Sequence, residues 1–134
     1  MIKYSWREEL SQSLGKIKRP VAEIHLKDKN NIWRALTMYI DSGADISILS
    51  KSFGELFSHN IKKGQEIRLK GINNCNFLAY IHTFEIRIGK NEERIKIAIA
   101  QNDEVPNILG RFDVFNLFEI CFKNKSQQTT FTKK

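Results

Sequence analysis

From Pro20 onward, apolar and polar residues alternate in short runs. That period of two constrains the fold more than any other feature of the chain, because it sorts side chains onto the two faces of a strand. Val21-Ala-Glu-Ile-His-Leu26 puts Val21, Glu23 and His25 on one face and Ala22, Ile24 and Leu26 on the other. Lys27-Asp-Lys-Asn-Asn31 is a polar turn, and Trp33 to Ile40 returns as a second strand, so the pair predicts a hairpin. Ile46-Ser-Ile-Leu49 is a short apolar run. Gln65 to Lys70 and Leu78 to Ile88 bracket a loop and predict a second hairpin. Arg94 to Ala100 carries Ile95, Ile97 and Ile99 at every second position, the mark of a half-buried strand. Phe118 to Lys123 and Thr129 to Thr132 flank Asn124-Lys-Ser-Gln127 and predict a last hairpin. Ser50 to Phe57 and Asp113 to Phe118 each suit one or two helical turns. The first 19 residues read two ways: Trp6 to Leu14 suits a short helix, and Ile17 suits the start of a strand. Many short strands and scraps of helix predict a mostly β fold, a small and mainly antiparallel barrel or folded sheet.

Composition narrows the function classes. A length of 134 residues suits one domain, and 41% apolar residues can support a core without a disulfide or metal. No stretch approaches the ~18 consecutive apolar residues of a membrane-spanning helix. The start, Met1 to Glu9, carries charges where a signal peptide needs an apolar run, so the expectation is a cytoplasmic protein. Two cysteines, Cys75 and Cys121, are too few for a disulfide scaffold or a zinc cage. His25, His59 and His82 share no metal-ligand spacing, so no metal and no cofactor are expected. The net charge of +7 sits entirely in the two ends: residues 1–19 carry +3 and residues 123–134 carry +4. No run of five basic residues and no aromatic platform accompanies it. The ends therefore read more simply as solubilising than as a nucleic-acid site.

One segment carries chemistry. In Tyr39-Ile40-Asp41-Ser42-Gly43-Ala44-Asp45 a carboxylate directly follows an apolar strand, and a hydroxyl, a glycine and a small residue come next. Glycine lets the backbone turn tightly and thrust the aspartate out, with backbone N–H groups close enough to donate to it. Asp-Ser-Gly alone is a common turn. Some 65 residues on, Asn107-Ile-Leu-Gly-Arg111 supplies two more apolar residues and a glycine ahead of a short amphipathic helix. The two motifs in this order and at this distance resemble the retroviral-type aspartic proteases, the retropepsins, and within them the solo microbial members. The resemblance runs over about residues 20 to 132. It implies a retropepsin-like closed or folded β-barrel, a single lobe of the acid-protease fold with one or two short helices. Residues 20–134 would form that domain, and residues 1–19 an N-terminal extension, either part of a dimer interface or trimmed away.

The resemblance also implies roles. Asp41 matches the catalytic aspartate, Ser42 the hydroxyl that braces the two active-site loops across a dimer, and Gly43 the turn whose carbonyl contacts substrate. Ala44 leaves room for the substrate chain. Asp45 matches a substrate-backbone binder that is also paired with Arg111. Ile108, Leu109 and Gly110 match the stretch packed behind the catalytic loop. Gly71-Ile-Asn-Asn-Cys-Asn76 matches the flap over the substrate, with Gly71 and Ile72 as binding residues. Ile46, Ile48, Ile72, Leu78 and Ile108 are candidates for apolar substrate pockets. The flap is poorer in glycine than its retroviral counterparts, and Cys75 lies near its tip.

Peptide hydrolysis of this kind needs two carboxylates sharing one proton, since like charges about 3 Å apart cannot both ionise. The chain holds a single Asp-Ser-Gly. The expected function is therefore a homodimeric aspartic endopeptidase acting on extended peptide or protein substrates, with one Asp41 from each chain. Ser42 has no evident His partner, which argues against a serine hydrolase. Two other readings remain open: a catalytically silent, dimeric peptide-binding module of the same fold, and a nucleic-acid binder acting through its basic termini. The extra strand near Gln128–Thr132, with the N-terminal residues, is the candidate dimer interface.

Overall fold

Asp28 makes the first hairpin. It ends strand β4 (Val21–Lys27) and precedes β5 (Trp33–Ile40). Its carboxylate accepts the backbone N–H groups of Asn30 at 2.8 Å and Ile32 at 2.9 Å, and the Arg34 guanidinium at 2.5 Å. Asn31 completes the turn at φ 63°, a left-handed conformation that asparagine tolerates. The two strands then pair antiparallel from Val21–Tyr39 to Lys27–Trp33. Ala22, Ile24 and Leu26 are fully buried and Glu23 is exposed, as the alternation requires.

The computed structural model describes residues 1–71 and 75–134. After β5 come β6 (Ser47–Leu49), helix α1 (Lys51–Phe57), β7 (Gln65–Lys70), β8 (Asn76–Ile88) and β9 (Asn91–Ala100). The short β10 (Ile108–Leu109) and helix α2 (Val114–Leu117) lead to a final hairpin, β11 (Phe118–Lys123) and β12 (Gln128–Lys133). The main sheet runs in the order β4-β5-β10-β6-β9-β8-β7, and β4 also pairs with β8. That extra pairing closes six strands into a barrel and leaves β7 outside, attached to β8 alone.

Isoleucines fill the barrel. Ile24, Ile86, Ile88, Ile95, Ile97 and Ile99 share one cluster with Leu26, Met38, Leu49, Leu109, Phe118 and Phe131. Burying each such side chain contributes about 1.5–3 kcal/mol. A second, smaller cluster holds Ile46, Ile48, Ala79, Ala98 and Ala100 beneath the β7–β8 hairpin. Strand β9 serves both clusters. It alternates as far as Lys96 and is then buried on both faces from Ile97 to Ala100. Its two alanines leave room where the sheet is covered on each side. Helix α1 lies so close to β9 that a Cβ on Gly54 would run into the Ile99 side chain.

Three features depart from the sequence expectations. Trp6 to Leu14 is not a helix: β2 (Arg7–Ser11) and β3 (Gly15–Arg19) form a hairpin. Ser11 Oγ accepts the N–H groups of Ser13 and Leu14, and Gly15 turns at φ +72°, so local side-chain bonds displace helical ones. Strand β10 is new, and it pairs parallel with β5, as β6 does with β9. Residues Ile2–Ser5 form a strand, β1, that the sequence did not indicate; it pairs with β12, whose other edge takes β11. Trp6 fastens this end, its indole N–H donating to Thr129 Oγ1 at 2.8 Å.

The Arg34 guanidinium, with the Ile32 and Asn30 amides, holds the Asp28 carboxyl below its usual range. A lowered folded-state value stabilises the protein at neutral pH, and that contribution is lost as pH falls through it. Asp28→Asn should lower the melting temperature at pH 7, and the gap to wild type should close as pH drops below about 4. A gap that persists unchanged to about pH 2 would refute the charge-based account.

Candidate active site

Strand β5 delivers Asp41, and backbone bonds then fix the turn. The Asp41 N–H donates to the Leu109 carbonyl at 3.0 Å, and the Ala44 N–H donates to the Asp41 carbonyl at 3.2 Å. The Gly43 N–H donates to Asp41 Oδ1 at 2.8 Å. A side chain on Gly43 would press on that same oxygen, since its Cβ would lie 3.2 Å away. Asp41 is half-buried, whereas Ser42, Gly43 and Asp45 are exposed.

The second motif locks this turn from behind. Ile108 lies beside both Tyr39 of β5 and Ile48 of β6, so β10 bridges the two halves of the loop. The Gly110 N–H donates to Ser47 Oγ at 3.0 Å in a buried position. A Cβ on Gly110 would collide with the Ile46 carbonyl and lie 2.9 Å from that of Ala44. The Arg111 N–H donates to the Ala44 carbonyl at 2.8 Å and the Phe112 N–H to that of Asp45 at 2.8 Å. Arg111 also donates from its side chain to Asp45 Oδ1 at 2.5 Å and to the Ser42 carbonyl at 3.3 Å. Asp45 is 85% exposed at its side chain, so this ion pair is worth under about 1 kcal/mol, and the loop is held by the backbone bonds together with the buried Gly110–Ser47 bond.

Above the turn opens a cleft of about 940 Å³. Its floor is Asp41, Gly43, Ala44, Asp45, Ile46, Ile48 and Ile108, and the β7–β8 hairpin overhangs it with Leu69, Gly71 and Phe77. Ile72 lies outside the described residues, as does most of the expected flap tip; Gly71 and Cys75 flank it, joined by a 2.7 Å backbone bond. Leu78 does not line the cleft. Leu69 and Phe77, a direct cross-strand pair, both line it. Sequence reasoning also missed Arg68, Lys70, Glu104, Val105 and Pro106, which complete the walls. Pro106 punctuates the loop before β10, the one signal that could have marked it.

A second recess of about 640 Å³ lies across Asp41, where Glu104, Pro106 and Ile108 recur beside Glu9, Arg19 and Tyr39. The Tyr39 hydroxyl donates to Glu9 at 2.7 Å, and Arg7 donates to both. The Tyr39 hydroxyl and then Arg7 hold the Glu9 carboxyl below its usual range. The β2–β3 hairpin is thereby tied to the residue two before Asp41. Histidines stand apart from the cleft: His59 and His82 bond the carbonyls of Lys29 and Ile61. Among the described residues no three His, Cys, Asp or Glu side chains cluster as metal ligands would, and no helix is long and apolar enough to cross a membrane.

No family model and no curated protein matches the sequence. Among solved structures, the EIAV protease in complex with the inhibitor HBY-793 is similar, with a TM-score of 0.54 and 22% identity over 70% of this chain and 83% of that one. At that identity the likeness establishes the fold. The chain has the retropepsin-like β-barrel, the fold of an aspartic protease.

Gly110→Ala should be the most damaging small substitution in the loop, because backbone on both sides leaves no space. Overpacking of this kind costs about 1–3 kcal/mol or more. Urea denaturation measures it, and a midpoint equal to that of wild type would show that β10 does not lock the turn.

Proposed function

We propose that this protein is a homodimeric aspartic endopeptidase whose catalytic pair is Asp41 from each of two chains. The observation that carries the reading is Asp41 itself: half-buried at the floor of an open cleft, with the Gly43 amide on its carboxylate. The floor and the overhanging hairpin leave room for an extended peptide, which would add a strand between them. Ser42 would brace the paired loops, and Gly43, Ala44 and Asp45 would meet the substrate backbone. Gly71 and Ile72 would close over it, and Ile108 would help form its apolar pockets.

The chemistry follows from sharing. One Asp41, ionised, takes a proton from a water molecule. The other, protonated, donates to the carbonyl oxygen as the water attacks. Protons are exchanged with no covalent enzyme intermediate. The Gly43 amide donates to the Asp41 carboxylate, and two like charges in contact would share one proton. Two exposed free thiols, Cys75 and Cys121, accord with a reducing compartment such as the cytoplasm.

Cleavage of an unfolded protein substrate tests the reading. Asp41→Asn should reduce the rate by about 10²-fold or more while the dimer survives in sedimentation. Glu104, a further acid lining the cleft beside Asp41 and Asp45, is exposed, and Glu104→Gln should keep most of the activity. Excess Asp41→Asn chain added to wild type should suppress cleavage, because mixed pairs hold a single carboxylate. The rate should peak on the acid side and fall as pH rises, since the pair must retain one proton. Equal rates at neutral and strongly alkaline pH, or loss of activity in Glu104→Gln alone, would defeat this mechanism. Peptide binding without turnover by wild type would identify a silent module instead.

A further inference from the structure

Two cations line the cleft without an ion-pair partner among the described residues. Strand β7 carries Arg68, Leu69 and Lys70 to the overhang, and all three line the space above Asp41. Arg68 and Lys70 are exposed, and neither forms an ion pair among the described residues. Glu66, the acid of the same strand, lies outside the cleft lining and accepts the Tyr80 hydroxyl at 3.2 Å. Three acids line the cleft floor and walls. Asp45 is engaged by Arg111 at 2.5 Å, and Asp41 is the proposed reacting group. Glu104, on the loop before β10, is the third. In the recess across Asp41, Glu9 and Arg19 already pair with each other at 3.1 Å. The overhang is therefore the part of the site where positive charge stands uncommitted.

We propose that Arg68 and Lys70 are specificity-determining residues that select peptide substrates carrying Asp or Glu side chains under the overhang. This rests on the aspartic-protease reading, since the occupant is the substrate of that same cleft. Arg68 and Lys70 are two residues apart on one strand. Side chains on one face of an extended peptide repeat at the same interval, about 6.6–6.8 Å. Strand β7 pairs with β8 alone, so its other edge is open to a peptide lying along it. Acids at alternate positions of such a peptide meet both cations with neither chain bent. Leu69 and Phe77 supply apolar surface for the side chains between them. A peptide with lysine or arginine at those positions meets like charge instead. Glu104 imposes the converse condition on its own wall, where an acid of the substrate is repelled. The selection is thus positional: the acid belongs beside β7 and not beside the loop before β10.

Three short peptides that share an apolar centre and carry Glu, Gln or Lys at alternate flanking positions test the selection. Their binding to the full chain with Asp41→Asn, which leaves them uncut, is read by fluorescence anisotropy at low salt. The Glu peptide should bind about tenfold tighter than the Lys peptide, with the Gln peptide between, and the spread should shrink as salt rises. Arg68→Glu combined with Lys70→Glu should reverse that order. Lys16→Glu combined with Lys18→Glu makes the same change of net charge at exposed positions outside the cleft and should leave the order intact. Melting curves verify that both double variants fold. Arg68→Gln combined with Lys70→Gln, which should level the order, replaces the reversal if that variant does not fold. Equal binding of the three peptides, binding of none, an order untouched by the Arg68 and Lys70 changes, or an order erased as fully by the Lys16 and Lys18 changes would each overturn the selection. The two proposals fail separately. Wild type that binds in the expected order and cuts none of the peptides removes the protease reading alone. Wild type that cuts all three with the same kcat/KM removes the selection alone.

Discussion

Everything at the cleft depends on a two-residue strand. Ile108 and Leu109 sit between β5 and β6, and Gly110 follows hard against the Ile46 and Ala44 carbonyls. This wedge joins the start and the end of the Asp41 turn through backbone bonds and the buried Gly110–Ser47 bond. Backbone hydrogen bonds in such a place are costly to lose, because an unpaired buried amide or carbonyl forfeits its solvation. The conspicuous ion pair of Arg111 with Asp45 lies in solvent and adds little stability. Its value is positional: the guanidinium spans Asp45 and the Ser42 carbonyl and so sets the outer face of the loop.

Around this wedge lie two clusters. Isoleucines fill the barrel, and the smaller cluster mixes Ile46 and Ile48 with Ala79, Ala98 and Ala100. The cleft opens above this second cluster. One carboxylate sits at the centre of this floor. On the proposed reading, a second copy would complete the active site, so association and chemistry would be one problem.

Much of this was legible in the residues. Alternation in β4, β5 and β9 reports burial directly, because a strand's two faces follow chain order. Asp-Ser-Gly after an apolar strand marks a turn that exposes its acid, and that is a local property. The N-terminal region was misread because its residues have no strong period, and the decision fell to Ser11 and Gly15 at a tight turn. Leu78, partly buried, lies outside the lining of the cleft, a placement that its apolar side chain does not reveal. Glu104 and Lys70 carry no signal of their own; they line the cleft only because distant strands bring them there.

By itself the sequence determined most of the strands after Pro20, the β4–β5 and β11–β12 hairpins, and the single aspartate at the end of an apolar strand. These are local consequences of side-chain alternation, turn chemistry and the conformational freedom of glycine. Tertiary structure alone decided that β10 pairs parallel with β5, that β4 closes on β8, and that the terminal strand lies inside its own sheet. Those contacts join residues far apart in the chain. They are chosen by which burial and hydrogen-bond pattern satisfies the whole molecule, a sum that no short stretch of residues contains.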